Sequence, residues 1–158
     1  MIRGLLVVLA ALAVSPALAK DKPDARAAAA IQDCVKSKSA TGMGETCIGI
    51  VSGPCLDKAA DPSTAGMVAC VARERAVWDD ILNETYNRLR AKLDDKQQQK
   101  LRDMQRAWIV SKEKTCAFYW DYYQGTMASP MGSYCVMKET GRRALFLRAF
   151  LEDDDGSK

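Results

Sequence analysis

CVARERAVWDDILNETYNRLRAKL (Cys70–Leu93), followed directly by DDKQQQKLRDMQRAWIVSKEKTC (Asp94–Cys116), is the stretch whose reading decides the fold. In the first segment Val71, Trp78, Leu82, Thr85, Leu89 and Leu93 recur at spacings of three, four and seven, so a helix with about 3.6 residues per turn lines them up on one apolar stripe. Asp79, Asn83 and Tyr86 form a second, polar line beside that stripe. It reads either as a half-exposed boundary or as a polar cluster set against neighbouring helices. In the second segment Leu101, Met104, Trp108, Thr115, Tyr119 and Tyr122 make the inner stripe, with Gln105, Lys112 and Cys116 at its margin. Only an Asp-Asp-Lys step separates the segments, so an antiparallel helix hairpin is expected, with each stripe burying the other.

Working outward from this hairpin, the downstream segment QGTMASPMGS (Gln124–Ser133) is the clearest break in the chain, and a last helix is expected over Tyr134–Leu151. Val136, Thr140, Arg143, Leu147 and Phe150 share one face of it, which puts a guanidinium in the middle of an apolar stripe. Buried, such a group needs a partner, and Asp79 is the carboxylate proposed from the sequence, with Asn83 and Gln105 as further acceptors. Running along the helix edge, it would instead extend its head to water. Gly141 inside this helix costs about 1 kcal/mol relative to Ala, which points to a close backbone approach or a local break. Upstream, Asp24 can cap a helix running through the alanines to about Lys38, and Glu45–Val51 reads as a short helical piece ended by Ser52-Gly53-Pro54. Asp61-Pro62-Ser63-Thr64 is a turn that supplies the cap of the first long helix. Residues 20–54 cannot build a core of their own and are expected to wrap the hairpin.

The fold class that follows is all-α: a small, disulfide-stapled helical bundle with a long central antiparallel hairpin and shorter flanking helices. The 158 residues, 48% hydrophobic and 27% charged, suit one soluble domain with a real core. Residues 1–19 carry a short positive start, an apolar run from Leu5 to Val14 and the small-x-small pattern Ala17-Leu18-Ala19, so a signal peptide cleaved between Ala19 and Lys20 is expected. No cysteine follows that point, and no membrane anchor is expected after cleavage. The mature chain is expected to be soluble in the periplasm or secreted, with an acidic, frayed tail over residues 152–158. In an oxidising compartment Cys34, Cys47, Cys55, Cys70, Cys116 and Cys135 read as disulfides rather than a metal site, since no pair has CxxC spacing. Cys116–Cys135 is the pairing best supported, because it spans the break. Cys34–Cys47 and Cys55–Cys70 would hold the wrap, although spacing leaves the connectivity of these four open.

The chain contains no histidine, which removes the commonest general base, the commonest zinc ligand and the usual partner of a Ser or Cys nucleophile. Asp79-Asp80 and Asp94-Asp95 are adjacent on helices and point about 100° apart, so neither pair is a two-carboxylate site. The chain is not expected to be an enzyme, and no cofactor or metal is implied. A net charge of +3 with both signs interspersed offers no face for nucleic acid. The aromatic run Cys116-Ala-Phe-Tyr-Trp-Asp-Tyr-Tyr reads as core plus boundary, or as a stacking platform.

Cys70, WDDILNETY at Trp78–Tyr86, MQRAWI at Met104–Ile109, Cys116, Gly132-Ser133, Cys135, Thr140 and Arg143, in this order and spacing, resemble the domain family named for the lysozyme inhibitor LprI. The resemblance runs from about Cys55 to Leu147, and residues 55–151 are taken as the LprI-like domain. It implies a mainly helical fold, a bond from Cys70 to a cysteine shortly upstream, which favours Cys55, and inhibition of lysozyme. Asp79, Asn83, Tyr86, Gln105, Trp108 and Arg143 are then a buried polar network. The contact with a protein partner is assigned to the loop carrying Gln124, Thr126, Met127, Ser129, Pro130 and Met131, with the turn Leu56–Ser63 as a second candidate. The expectation is an exported protein-binding module directed at lysozyme or a related cell-wall hydrolase. The other reading is a structural or envelope-stress interaction protein whose signature residues serve only the fold.

Overall fold

The computed structural model describes residues 24–38, 41–58 and 63–156, with side chains placed as far as 152. The expected signal peptide and its cleavage point, Asp61-Pro62 of the upstream turn, and the end of the tail lie outside the described residues. Those described form α1 (Ala25–Lys38), a 3-10 turn (Gly44–Cys47), α2 (Ser52–Asp57), α3 (Thr64–Lys92), α4 (Asp95–Tyr123), a second 3-10 turn (Gly125–Met127) and α5 (Ala128–Gly156), with no strand among them. Among the described residues no helix is long and apolar enough to cross a membrane. The chain is an all-α bundle stapled by Cys34–Cys47, Cys55–Cys70 and Cys116–Cys135.

Local chemistry explains most of the boundaries. Asp24 Oδ1 accepts from the amides of Arg26 at 2.9 Å and Ala27 at 3.3 Å and so caps α1. The amides of Ala27 and then Arg26, with the Arg73 guanidinium 3.0 Å away, hold this carboxylate below the ordinary Asp value. Ser63 caps α3 by accepting from the Gly66 amide at 3.1 Å. Asp94 and Gln97 form a reciprocal capping box, with Gln97 N donating to Asp94 Oδ1 at 2.8 Å and Asp94 N to Gln97 Oε1 at 3.1 Å. Leu93 and Asp94 are both extended, which makes the connection from α3 to α4 two residues long.

The stripe read on α3 is the core: Val71, Trp78, Leu82, Thr85 and Leu89 are all buried, and Trp78 is 0% exposed. Its main partner, however, is α5 and not α4. The most extensive helix contact is α3 with α5, the next is α4 with α5, and α3 and α4 share little. Since α3, α4 and α5 run up, down and up, α5 lies parallel to α3 between two neighbours. The reason is surface chemistry. Only Leu101 and Cys116 of α4 are buried, whereas α5 offers Met137, Ala144, Leu147 and Leu151. Gly141 lets the helices close: a Cβ there would stand 3.0 Å from the Ile48 side chain and 3.2 Å from the Trp78 ring. Helix α1 covers the pair with Ala27, Ile31 and Val35.

Four expectations shift. Ser52-Gly53-Pro54 opens α2 instead of ending a helix over Glu45–Val51, because Gly49 at φ 104° makes the break earlier and Pro54 falls in the first turn, where no amide is needed. The buried line of α4 is rotated: Thr115 and Tyr122 are exposed, while Cys116 is buried and Gln105 and Lys112 are half-buried. The bond from Cys116 to Cys135 fixes that rotation. The break after α4 is much shorter than Gln124–Ser133, since α5 begins at Ala128 with Pro130 in its first turn. Finally, α5 runs past Leu151 to Gly156.

Candidate functional site

The polar residues singled out in the sequence do not form one buried network. Arg143, 9% exposed, is the only one of the six that is fully buried. Asp79, Tyr86, Gln105 and Trp108 are half-buried and Asn83 is exposed. The Arg143 Nε donates to Gln105 Oε1 at 2.9 Å across the α4–α5 contact. Its guanidinium carbon lies 5.5 Å from the Trp108 ring and 5.0 Å from the Phe146 ring. Asp79 is not among its partners and instead accepts from Asn83 Nδ2 at 3.4 Å. Aromatic faces and one amide oxygen therefore take the place of the expected carboxylate. Burial holds the guanidinium below the ordinary arginine value, and Nη2 is enclosed without an acceptor. Lys112 stands over the same Trp108 ring at 4.7 Å, so the indole lies within reach of two cations.

A buried cation with a single neutral hydrogen-bond partner contributes little net stability. Arg143→Met, which keeps the stem and removes the charge, is expected to leave the unfolding free energy within about 1 kcal/mol of the parent or to raise it. Urea denaturation of the oxidised protein measures this. A loss above about 3 kcal/mol would show that the cation is needed to join α4 to α5.

Glu74 is the residue the sequence reading passes over. It is 0% exposed and accepts from four donors: Gly49 N at 2.6 Å, Val51 N at 3.1 Å, Ser52 N at 2.7 Å and Trp78 Nε1 at 2.9 Å. Its carboxylate thus ties the loop entering α2 to the core tryptophan. A signal for it exists in the sequence, since Val71, Glu74 and Trp78 follow spacings of three and four on the apolar stripe.

The residues assigned to partner contact gather at the end of the α4–α5 hairpin. Gln124, at φ 38°, and Gly125, at φ 59°, turn the chain sharply. Gln124, Thr126 and Met127 are exposed, Met127 by 41%. Ser129 and Met131 are half-buried, and Pro130 is buried in α5. The tip is therefore smaller than the segment read as a loop. Below it Cys116–Cys135 clamps the two helices, and Trp120 packs where Gly132 leaves room that any side chain would fill. Tyr123, 41% exposed, borders the tip and meets Tyr119 and Tyr122 with ring centroids 5.8 and 5.2 Å away. On the second candidate turn Leu56 is exposed, and residues 59–62 lie outside the described residues.

Elsewhere, a cleft of about 350 Å³ opens between α1, α3 and α5, with Lys36, Arg88, Arg148 and Glu84 at its walls and Val35 and Ala144 among its lining. Its charges are of both signs, with Arg88 3.8 Å from Glu84 and Arg148 2.6 Å from Glu152.

The sequence model of the lysozyme inhibitor LprI family matches residues 55–147, more than half of the chain. The chain belongs to the LprI lysozyme-inhibitor family. No curated protein and no solved structure matches it. The matched stretch contains Cys55–Cys70, Cys116–Cys135, Glu74, Arg143 and the whole hairpin tip of this chain. Helix α1 and the Cys34–Cys47 bond lie outside the LprI match.

Proposed function

We propose that this LprI-family chain is an exported protein-binding module that inhibits lysozyme or a related cell-wall hydrolase, and that the tip of the α4–α5 hairpin makes the contact. One observation supports this contact: Gln124, Gly125, Thr126 and Met127 are exposed at the end of the hairpin, and Cys116–Cys135 ties its two helices together. A hydrolase that cuts a polymer presents a concave cleft, and a preordered convex tip enters it with little loss of conformational entropy. Tyr123 and Met127 supply apolar surface of the kind that anchors interfaces. Export fits the three disulfides, which persist in oxidising compartments.

The test is protection of cell walls from lysozyme by the oxidised mature chain from Lys20 to Lys158, compared with Met127→Glu. Since Met127 is exposed, the variant is expected to melt at the parent temperature while losing at least about tenfold in inhibitory potency. Undiminished inhibition by the variant would move the contact away from the tip.

A structural or envelope-stress role is the second reading. It is favoured by the burial of Trp78 and Arg143 inside the bundle, with Arg143 joined across the α4–α5 contact to the half-buried Gln105. Under that reading the wild-type chain gives no protection at any molar excess.

A further inference from the structure

The outer face of α4 has a composition that the proposed function leaves unused. Opposite the line that meets α5, Ala107, Val110, Lys114, Phe118, Asp121 and Tyr122 fall within about a third of the helix circumference. Phe118 at 64% and Tyr122 at 68% are the most exposed large apolar side chains among the described residues, and Val110 is 50% exposed. The Phe118 and Tyr122 rings touch, with centroids 5.8 Å apart, and form a continuous ridge. A free-standing ridge of this kind is costly in water and marks an interaction surface.

The charges on the same face say what covers it. Lys114 and Asp121 are exposed, and among the described residues neither makes an ion pair or hydrogen bond. They stand seven residues apart, about 10 Å along the axis, too far to meet each other within one helix. An antiparallel copy brings them together. A two-fold axis passing between Ala117 and Phe118 sets Lys114 opposite the partner's Asp121 and Asp121 opposite the partner's Lys114. The same axis passes within one residue of Phe118, so Phe118 meets the partner's Phe118 at the centre, as a residue beside the axis of an isologous interface does. A patch carrying one charge of each sign has no preference for an anionic membrane surface, which draws clusters of Lys and Arg.

We infer that the outer face of α4 is a two-fold interface with a second copy of this chain, with Phe118 at its centre and reciprocal Lys114–Asp121 pairs at its edges. The two hairpin tips then point in opposite directions. The inference does not depend on lysozyme being the target.

Sedimentation velocity of the oxidised mature chain over a concentration series tests it with a charge exchange. The wild type is expected to associate reversibly to a dimer. Lys114→Asp and Asp121→Lys each set like charges opposite one another at two places, and each is expected to weaken association about tenfold. The double variant Lys114→Asp/Asp121→Lys restores the pairs and is expected to return to within about threefold of the wild type, because only pair reversal connects the two positions. Phe118→Asp is expected to give a monomer of unchanged melting temperature, since this side chain is 64% exposed in the isolated chain. A wild type that remains monomeric at millimolar concentration would overturn the inference. A double variant no better than the two single ones would do the same.

Discussion

Glu74→Gln is expected to lower the unfolding free energy by about 3–5 kcal/mol, the size of the loss when a buried charge-assisted network is broken. The side chain is 0% exposed and its two oxygens accept all four of its bonds, three of them from backbone amides. An amide keeps one oxygen and presents an NH₂ where the other stood, so a donor faces donors. No rotamer of Gln satisfies the site, whereas Arg143→Met removes a group whose one acceptor is a neutral amide. An apolar residue at 74 does not help either, because the buried amide of Ser52 and the partly buried amides of Gly49 and Val51 are left without an acceptor. In a chain of this length the loss corresponds to a fall in Tm on the order of 10 °C. Thermal melts of the oxidised protein followed by circular dichroism measure it. A change below about 1 kcal/mol would mean that water reaches these amides and that Glu74 does not organise the loop.

The second large effect is expected at the other end of the bundle. Replacing Cys116 and Cys135 together by Ser removes a crosslink between residues 19 apart in sequence, which chain entropy values at about 3 kcal/mol. The loss should not be spread evenly. Helix α4 buries only Leu101 and Cys116, with Met104 and Trp108 partly buried against the core, and among its other ties to α5 are the Gln105–Arg143 hydrogen bond and Trp120 beside Gly132. Without the bridge, α4 is expected to open as a unit while α3 and α5 stay paired. Hydrogen exchange shows this as protection lost across residues 105–123 well ahead of residues 70–89. Equal loss in both segments would mean that α4 is as deeply held as α3, against the burial that separates them. Under the proposed function, because the tip sits on α4 and α5, the same variant also loses the inhibition assigned to the tip.

The long helices were legible because their signals are local. The α3 stripe, the turn that caps α3 at Ser63 and the Cys116–Cys135 pairing follow from periodicity, side-chain oxygens at helix starts and a crosslink across a break, whereas spacing left the pairing of Cys34, Cys47, Cys55 and Cys70 open and the resemblance favoured Cys55–Cys70. Which helix α3 meets was not legible, since a short connection makes α4 its neighbour in sequence while apolar surface on α5 makes that helix its neighbour in space. Gly141 held the clue, as a glycine in mid-helix that admits Trp78 and Ile48. The start of α5 was obscured by Gly and Pro in Gln124–Ser133, because Pro130 breaks a helix interior but is tolerated in a first turn. Arg143 reads in the sequence as a charge in need of a carboxylate, yet the Trp108 ring meets it from another helix, where spacing does not show convergence, beside Phe146 three residues on in α5. Glu74 was hidden by its own charge, a residue type rarely found at 0% exposure unless it is fully bonded.

The most direct measurement is calorimetric titration of lysozyme into the oxidised mature chain at physiological salt, with the reduced chain as control. Expected is a saturable isotherm with one lysozyme per chain, abolished by reduction and weakened at least about tenfold by Met127→Glu. No heat of binding at micromolar concentrations of either protein would contradict lysozyme recognition, and binding that survives reduction unchanged would contradict the role given to the clamped tip.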